Sequence, residues 1–218
     1  ADRLQSPVIV MSDLELGMNE QVCDPLNWDD KHEYDRGKVL NAAQLEEIGK
    51  FGRYLDVDGD GISYRTYPGT HPDLGSYFTR GSSHNPYAAY TEDGDVYADM
   101  MDRLALKLQT ALKYIPEPEV SGGGKNKLGL MYFGSTSMAI QEVRDSLNKK
   151  GIKFDTLRVR AFPFHPAVGE FVERHELTYV IEQNRDAQLK SLLKIECNAR
   201  HEKMHSILSY NGVLVSAQ

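Results

Sequence analysis

The sequence predicts an α/β protein: a long irregular, aromatic-rich segment and a helix, followed by a Rossmann-like parallel-sheet domain. Three observations carry this. Residues 126–218 alternate β-type apolar runs with helical patterns, which predicts a parallel sheet with right-handed crossovers. Residues 20–95 are rich in Asp, Gly, Pro and Tyr and show neither strand nor helix period. Pro116-Glu-Pro118 and Ser121-Gly-Gly-Gly124 separate the two regions with helix-breaking and flexible residues.

At the front, Pro7-Val8-Ile9-Val10-Met11 reads as a buried strand with residues 12–19 as its exit loop. The chain opens on Ala1-Asp2-Arg3, and no βαβ partner precedes this strand, so a piece of something longer is expected. Loops as long as residues 20–95 are functional or disordered. Disordered segments are poor in rings, whereas this one holds Trp28, Tyr34, Phe51, Tyr54, Tyr64, Tyr67, Tyr77, Phe78, Tyr87 and Tyr90. An ordered segment that wraps another surface is therefore expected, with a short helix near Ala42–Gly49. Thr91-Glu92-Asp93 then starts a helix whose apolar face is Met100, Leu104, Leu108, Ala111, Leu112 and Ile115.

In the last region, strands are expected at Leu128–Phe133, Thr156–Phe162, Thr178–Glu182 and Ser206–Tyr210. Helices are expected after Gly134-Ser-Thr-Ser137, around Ala167–Arg174 and over Ala187–Ile195. The organisation is 1–20, 21–120 and 121–218.

Composition narrows the chemistry. Thirty-two acidic against 25 basic residues give a net charge of −7, which argues against a nucleic-acid surface. Mean hydropathy is −0.49, and no apolar run approaches the ~18 residues that span a bilayer. Cys23 and Cys197 are too few for an iron–sulfur cluster or structural zinc, and read as free thiols in a reducing, cytoplasmic setting.

Asp56-Val-Asp58-Gly-Asp60-Gly61 matches the first half of a calcium loop, so Asp56, Asp58 and Asp60 are candidate ligands for calcium or magnesium. Tyr67 stands where the bidentate Glu belongs, and an Asp/Gly turn is the competing reading. Gly59-Asp60-Gly61 with the later Asn85 imitates a thiamin-diphosphate signature, but Pro68, Gly69, Pro72 and Gly75 break the helix that motif needs.

Arg65-Thr-Tyr-Pro-Gly-Thr70 and Tyr77-Phe-Thr-Arg80-Gly-Ser82-Ser-His-Asn85 form the densest polar constellation, suited to a carboxylate or phosphate. Gly134-Ser-Thr-Ser137 and Glu182-Gln-Asn184-Arg-Asp186 each follow a strand and open a helix, where α/β sheets place ligands. Asp186 also suits an N-cap. His201 and His205 stand at helical spacing without a third ligand.

Several blocks occur in order: Ser12-Asp-Leu-Glu-Leu-Gly-Met-Asn19, Asp35-Arg-Gly-Lys38, Phe51-Gly-Arg-Tyr54, the Asp56–Gly61 loop, Tyr64-Arg-Thr-Tyr-Pro-Gly-Thr70, Phe78-Thr-Arg-Gly81, Arg158-Val-Arg-Ala-Phe-Pro163 and Glu182-Gln-Asn-Arg-Asp-Ala-Gln188. The series resembles the alpha subunit of 2-oxoacid:ferredoxin oxidoreductases, especially the 2-oxoglutarate type. The resemblance implies thiamin-dependent oxidative decarboxylation of a 2-oxoacid to an acyl-CoA, with electrons passed to ferredoxin through a 4Fe–4S cluster. It implies that the beta subunit carries the cluster and the thiamin diphosphate and magnesium side of a shared site. This chain would then be the last strand of a pyrimidine-binding domain, the irregular segment, and a transketolase C-terminal-like domain, inactive alone. Carried over by motif, Arg65, Thr70 and Asp186 take catalytic roles, Arg65 on the oxoacid carboxylate. Arg80, Ser82 and Asn184 take cofactor-side roles. The alternative is a non-catalytic subunit-interaction module, and a third reading adds calcium binding through Asp56, Asp58 and Asp60.

Overall fold

A computed structural model describes residues 1–20 and 22–217; Gln21 and Gln218, which fall in the expected segments 21–120 and 121–218, lie outside the described residues. Backbone contacts divide the chain into two units, Ala1–Ile9 with Asp24–Tyr114, and Val10–Cys23 with Ile115–Gln218.

The first unit is mostly irregular, with two helices. Helix α2 (Ala42–Ile48) starts on a capping box in which Asn41 and Gln44 exchange side-chain-to-backbone bonds, and Gly49 ends it at φ 68°. Helix α3 (Gly94–Ala111) starts on Asp93, whose carboxylate accepts from the amides of Asp95 and Val96. Its packed face differs from the expected stripe. Leu108 is exposed, whereas Arg103 and Lys107 are half-buried and Thr110 is buried. The reason lies in the loop that packs there. Gly61, at φ 78°, rests so closely on α3 that a Cβ would collide with the Lys107 backbone, and Thr110 Oγ1 donates to the Asp60 carbonyl at 2.7 Å. Leu40, Leu45, Ile62, Ala88 and Ala111 are the buried apolar residues of this unit.

The aromatic residues divide. Phe51 and Tyr54 pack against Tyr77 at centroid distances of 6.3 and 6.4 Å, and Tyr54 stacks on His84 at 3.7 Å. Trp28, Tyr34 and Phe78 are exposed.

The second unit holds a five-stranded sheet in the order β1-β3-β2-β4-β5. Its elements are β1 (Glu119–Ser121), β2 (Leu128–Tyr132), α4 (Ile140–Lys149), β3 (Phe154–Arg158), α5 (Pro166–Arg174), β4 (Leu177–Glu182), α6 (Gln188–Glu196) and β5 (Met204–Leu208). Strands β2–β5 are parallel, and only β1 runs antiparallel, on β3. The expected α/β alternation is present, with β5 two residues earlier than the pattern suggested and β3 starting two and ending four residues earlier. His205 lies on β5, so it has no helical relation to His201.

Met131, Leu157, Val168, Phe171, Val172, Val180, Leu193 and Met204 form the core on one sheet face. Gly129 lets the Phe171 ring approach β2 closely; a Cβ there would stand 2.6 Å from the ring.

The expected strand at Pro7–Met11 is not formed among the described residues. Val8, Ile9, Val10 and Met11 are 60–88% exposed and pair with no strand among the described residues. An apolar run becomes a strand only where neighbouring strands accept its amides and side chains. The exit loop instead forms a five-residue helix, α1 (Leu14–Met18), capped by Asp13.

Candidate functional site

Arg65 lies where the chain segments 38–40 and 62–66 run side by side. Its backbone bonds with Lys38 and Leu40, and Val39 bridges to it in parallel. The guanidinium is fixed from several sides. Nη2 donates to the Arg36 carbonyl at 2.7 Å and reaches Asp2 Oδ1 at 3.2 Å and the Tyr67 hydroxyl at 3.4 Å. Nε is buried without a partner. Asp2 also pairs with Arg36 at 2.6 Å, and those two arginines hold its carboxyl below the ordinary value, Arg36 first.

Thr70 closes a turn on Tyr67. Its hydroxyl donates to the Tyr67 carbonyl at 2.8 Å and accepts the Tyr67 amide at 3.3 Å. Tyr67 thereby joins Arg65 and Thr70, which spacing alone did not reveal. Beside them lies a cleft of about 290 Å³ walled by Thr66, Tyr67, Pro68, Gly69, His71 and Tyr77. Further along the unit, Arg80 lies 5.8 Å from the Tyr90 ring centre and Ser82 is exposed.

The expected calcium loop is closed on a cation of the chain itself. Lys38 Nζ lies 2.6 Å from Asp58 Oδ2, 2.7 Å from Asp60 Oδ1 and 2.9 Å from the Ile62 carbonyl. Asp56 accepts the amides of Gly59, Asp60 and Gly61. Burial disfavours charge on both Lys38 and Asp60. The bonds between them win, so Lys38 is raised and Asp60 lowered from their ordinary values. Among the described residues no group of three or more His, Cys, Asp or Glu side chains is arranged for a metal ion. The ammonium does here what a bound metal would do, which corrects the expectation for Asp56, Asp58 and Asp60. Asn85 also has a local task, accepting the amides of Tyr87 and Ala89.

In the second unit, the chain leaves β2 toward β3 on one side and β4 toward β5 on the other. The carboxyl ends of β2 and β4 therefore flank the topological switch point, where open α/β sheets bind ligands. Both anion positions there are taken by the chain's own carboxylates. Asp13 Oδ2 accepts the Ser135 amide at 3.0 Å, and Gln183 Nε2 donates to Ser135 Oγ at 2.8 Å. Fully buried Glu182 accepts the amides of Leu189 and Lys190 at 2.6 and 3.1 Å and Asn184 Nδ2 at 2.8 Å. Asn184 Oδ1 in turn accepts the amides of Asp186 and Gln188.

Asp186 is exposed and paired with Arg185 at 2.7 Å, and it is not the N-cap of α6. Glu182 and Asn184 provide that service. A carboxylate six residues before a helix is not visible as a cap in sequence.

Thus Arg65, Thr70, Arg80 and Ser82 belong to the first unit and Asn184 and Asp186 to the second. No helix among the described residues is long and apolar enough to cross a membrane. Cys23 and Cys197 are free thiols, and burial raises the Cys197 thiol above its ordinary value.

The geometry defines an arginine-bearing irregular unit and an α/β unit whose switch-point crevice is filled from within. Comparison with known proteins places this architecture. No family model matches. The 2-oxoacid:ferredoxin oxidoreductase subunit alpha of Saccharolobus solfataricus is 27% identical over 97% of this chain and 33% of its own length. Subunit alpha of the 2-oxoacid:ferredoxin oxidoreductase 2 of Aeropyrum pernix is 29% identical over 97% of this chain and 32% of its own. The solved 2-oxoglutarate:ferredoxin oxidoreductase of Magnetococcus marinus, with 2-oxoglutarate, coenzyme A and succinyl-CoA bound, shares the fold. It matches at a TM-score of 0.71 and 22% identity, covering 83% of this chain and 30% of that one. The chain is a distant homologue of the alpha subunit of 2-oxoacid:ferredoxin oxidoreductases, and it spans about a third of the length of the curated relatives it matches.

Proposed function

We propose that this chain shapes the substrate side of a 2-oxoacid:ferredoxin oxidoreductase, with 2-oxoglutarate as the oxoacid and coenzyme A as the acyl acceptor. The observation that carries this reading is the alignment of nearly the whole chain with the alpha subunits. Arg65 binds the oxoacid carboxylate. Its guanidinium is oriented before any ligand arrives, by the Arg36 carbonyl and Asp2 on Nη2, and Nη1 makes no hydrogen bond among the described residues. A fork held in this way grips a planar carboxylate with little further loss of freedom. Thr70, fastened to Tyr67, lines the same side, and Asp186 contributes from the second unit.

The residues of this chain do not fit a metal-bound diphosphate. The Asp-rich loop is closed by Lys38, the switch-point amides are occupied, and Asn184 is fully engaged in starting α6. On this reading, thiamin diphosphate with its magnesium and the 4Fe–4S cluster belong to the beta subunit, as the resemblance to the family implies. Arg80 and Ser82 remain the cofactor-side candidates here. The exposed Val8–Met11 run pairs with the rest of the pyrimidine-binding domain. Ferredoxin meets the assembled heteromer in the cytoplasm, and this chain alone is inactive.

The test is reconstitution of the complete alpha subunit with its beta subunit. Reduction of ferredoxin that requires both 2-oxoglutarate and coenzyme A is expected. Absence of such turnover with every 2-oxoacid tried would reject the reading.

A further inference from the structure

We propose that Arg53, Arg103 and Lys107 form a binding site for a small tetrahedral oxyanion, taken up as free phosphate or as the terminal phosphoryl group of a larger ligand. The three cations line one cavity of about 120 Å³ in the first unit, with Ser63 at its polar wall and Ile62 and Leu104 at its apolar one. Arg53 comes from the loop after α2, and Arg103 and Lys107 stand four residues apart on the packed face of α3.

The unusual feature is missing counter-charge. The other half-buried cations of this unit meet acids: Arg65 pairs with Asp2, and Lys38 with Asp58 and Asp60. Among the described residues no carboxylate pairs with Arg53, Arg103 or Lys107. Asp56, which also lines a neighbouring cavity with Arg103, spends its oxygens on the amides of Gly59, Asp60 and Gly61.

Donors remain available. Arg103 uses Nη1 on the Gly61 carbonyl at 2.9 Å and on Ser63 Oγ at 3.3 Å. Lys107 Nζ makes one long bond, 3.3 Å, to the Gln5 carbonyl. Arg53 forms no hydrogen bond among the described residues, and its guanidinium lies 5.3 and 5.9 Å from the ring centres of Tyr54 and Tyr77. Gln5, at the rim, is a non-glycine residue at φ 48°, a conformation that surrounding structure must enforce.

Electrostatics agree. Burial holds Arg103 below its ordinary value against the attraction of Asp56, with repulsion from Arg53 adding to it. Burial, followed by repulsion from Arg103 and Arg53, holds Lys107 below its own. A dianion between the three charges would remove that repulsion, and each guanidinium would gain charge-assisted bonds. A single carboxylate uses one fork, whereas a tetrahedral anion can accept from all three side chains.

The site is independent of the proposed oxidoreductase function, and its test does not read turnover. Inorganic phosphate is titrated into the intact protein by calorimetry and ³¹P NMR, with glycerol 3-phosphate as a parallel arm. One equivalent of phosphate is expected to bind, with affinity falling at least about tenfold in Lys107→Met and in Arg53→Gln. Arg53→Gln removes no hydrogen bond of the fold, so it keeps the test valid where Lys107→Met unfolds. Binding of both ligands assigns the site to a phosphoryl group, and binding of inorganic phosphate alone to the free ion. No saturable binding, or equal affinity in wild type and Arg53→Gln, overturns the proposal.

Discussion

Glu182, at the carboxyl end of β4, accepts the amide of Leu189 at 2.6 Å and so seats a fully buried carboxylate on the first turn of α6. That position is where a phosphate sits in many α/β proteins. Glu182→Ala should cost roughly 3 kcal/mol, because two helix amides lose a charged acceptor and a void remains. Glu182→Gln should cost less, since an amide oxygen can still accept. Urea unfolding checks both; a change below about 0.5 kcal/mol for the alanine variant would refute the capping role.

The same logic applies to the Asp-rich loop. With Lys38 between Asp58 and Asp60, calcium added to the wild-type protein should produce no saturable heat. Lys38→Met should lower stability by about 1 kcal/mol, a modest figure because the two acids are 41% and 29% exposed. Micromolar calcium binding by the wild type would contradict the lysine-closed loop.

This cluster also sets a pH window. Asp60 is lowered in the fold, so its contribution is present above the unfolded value of about 3.9 and is lost as pH falls through the folded one. Lys38 is raised, so its contribution is present below about 10.4 and is lost as pH rises through its folded value. Stability from the pair should be flat between these limits, and Lys38→Met should flatten the alkaline limb. An unchanged alkaline limb in that variant would remove Lys38 from the account.

Asp13 caps α1 and accepts the Ser135 amide with one carboxylate. Burial opposes its charge, but the bonds from Leu16 and Ser135 prevail and keep it below its ordinary value. Asp13→Ala should therefore speed hydrogen exchange over residues 14–19 and at Ser135 together. A change confined to residues 14–19 would limit Asp13 to a local cap.

In the core of the second unit, His175 Nε2 lies 3.1 Å from Asp155 Oδ2 and Nδ1 lies 2.6 Å from the Phe171 carbonyl, with both side chains fully buried. His175→Ala strands the Asp155 carboxylate with only Asn126 and should cost roughly 3–5 kcal/mol. The double variant His175→Leu, Asp155→Leu should be closer to wild type. Equal losses in both would show that packing, and not the stranded charge, dominates.

The parts of this fold that read well in sequence are those where one physical signal repeats. Strands β2 and β4 and helices α4, α5 and α6 follow from alternating apolar runs closed by caps and glycines. Strand β1 is three residues of Glu, Val and Ser on a sheet edge, too short and polar to leave a pattern. Pro7–Met11 has strand composition, but composition cannot supply a partner. Long-range pairing was equally hidden: Asp2 lies 63 positions from Arg65, and Lys38 lies 22 from Asp60. Charged residues on the packed face of α3 run against the rule that apolar spacing marks the buried side, so Arg103 and Lys107 became visible only with the loop laid across them.

Arg65 remains the residue on which the functional account turns. In the assembled enzyme, kcat/KM for 2-oxoglutarate should be measured for wild type, Arg65→Lys and Arg65→Ala. Loss of a charged, oriented contact worth roughly 2–4 kcal/mol predicts a fall of about 30- to 900-fold for alanine. Lysine should recover only part of it, because it keeps the charge and loses the fork. An Arg65→Ala enzyme with wild-type kcat/KM would contradict the account.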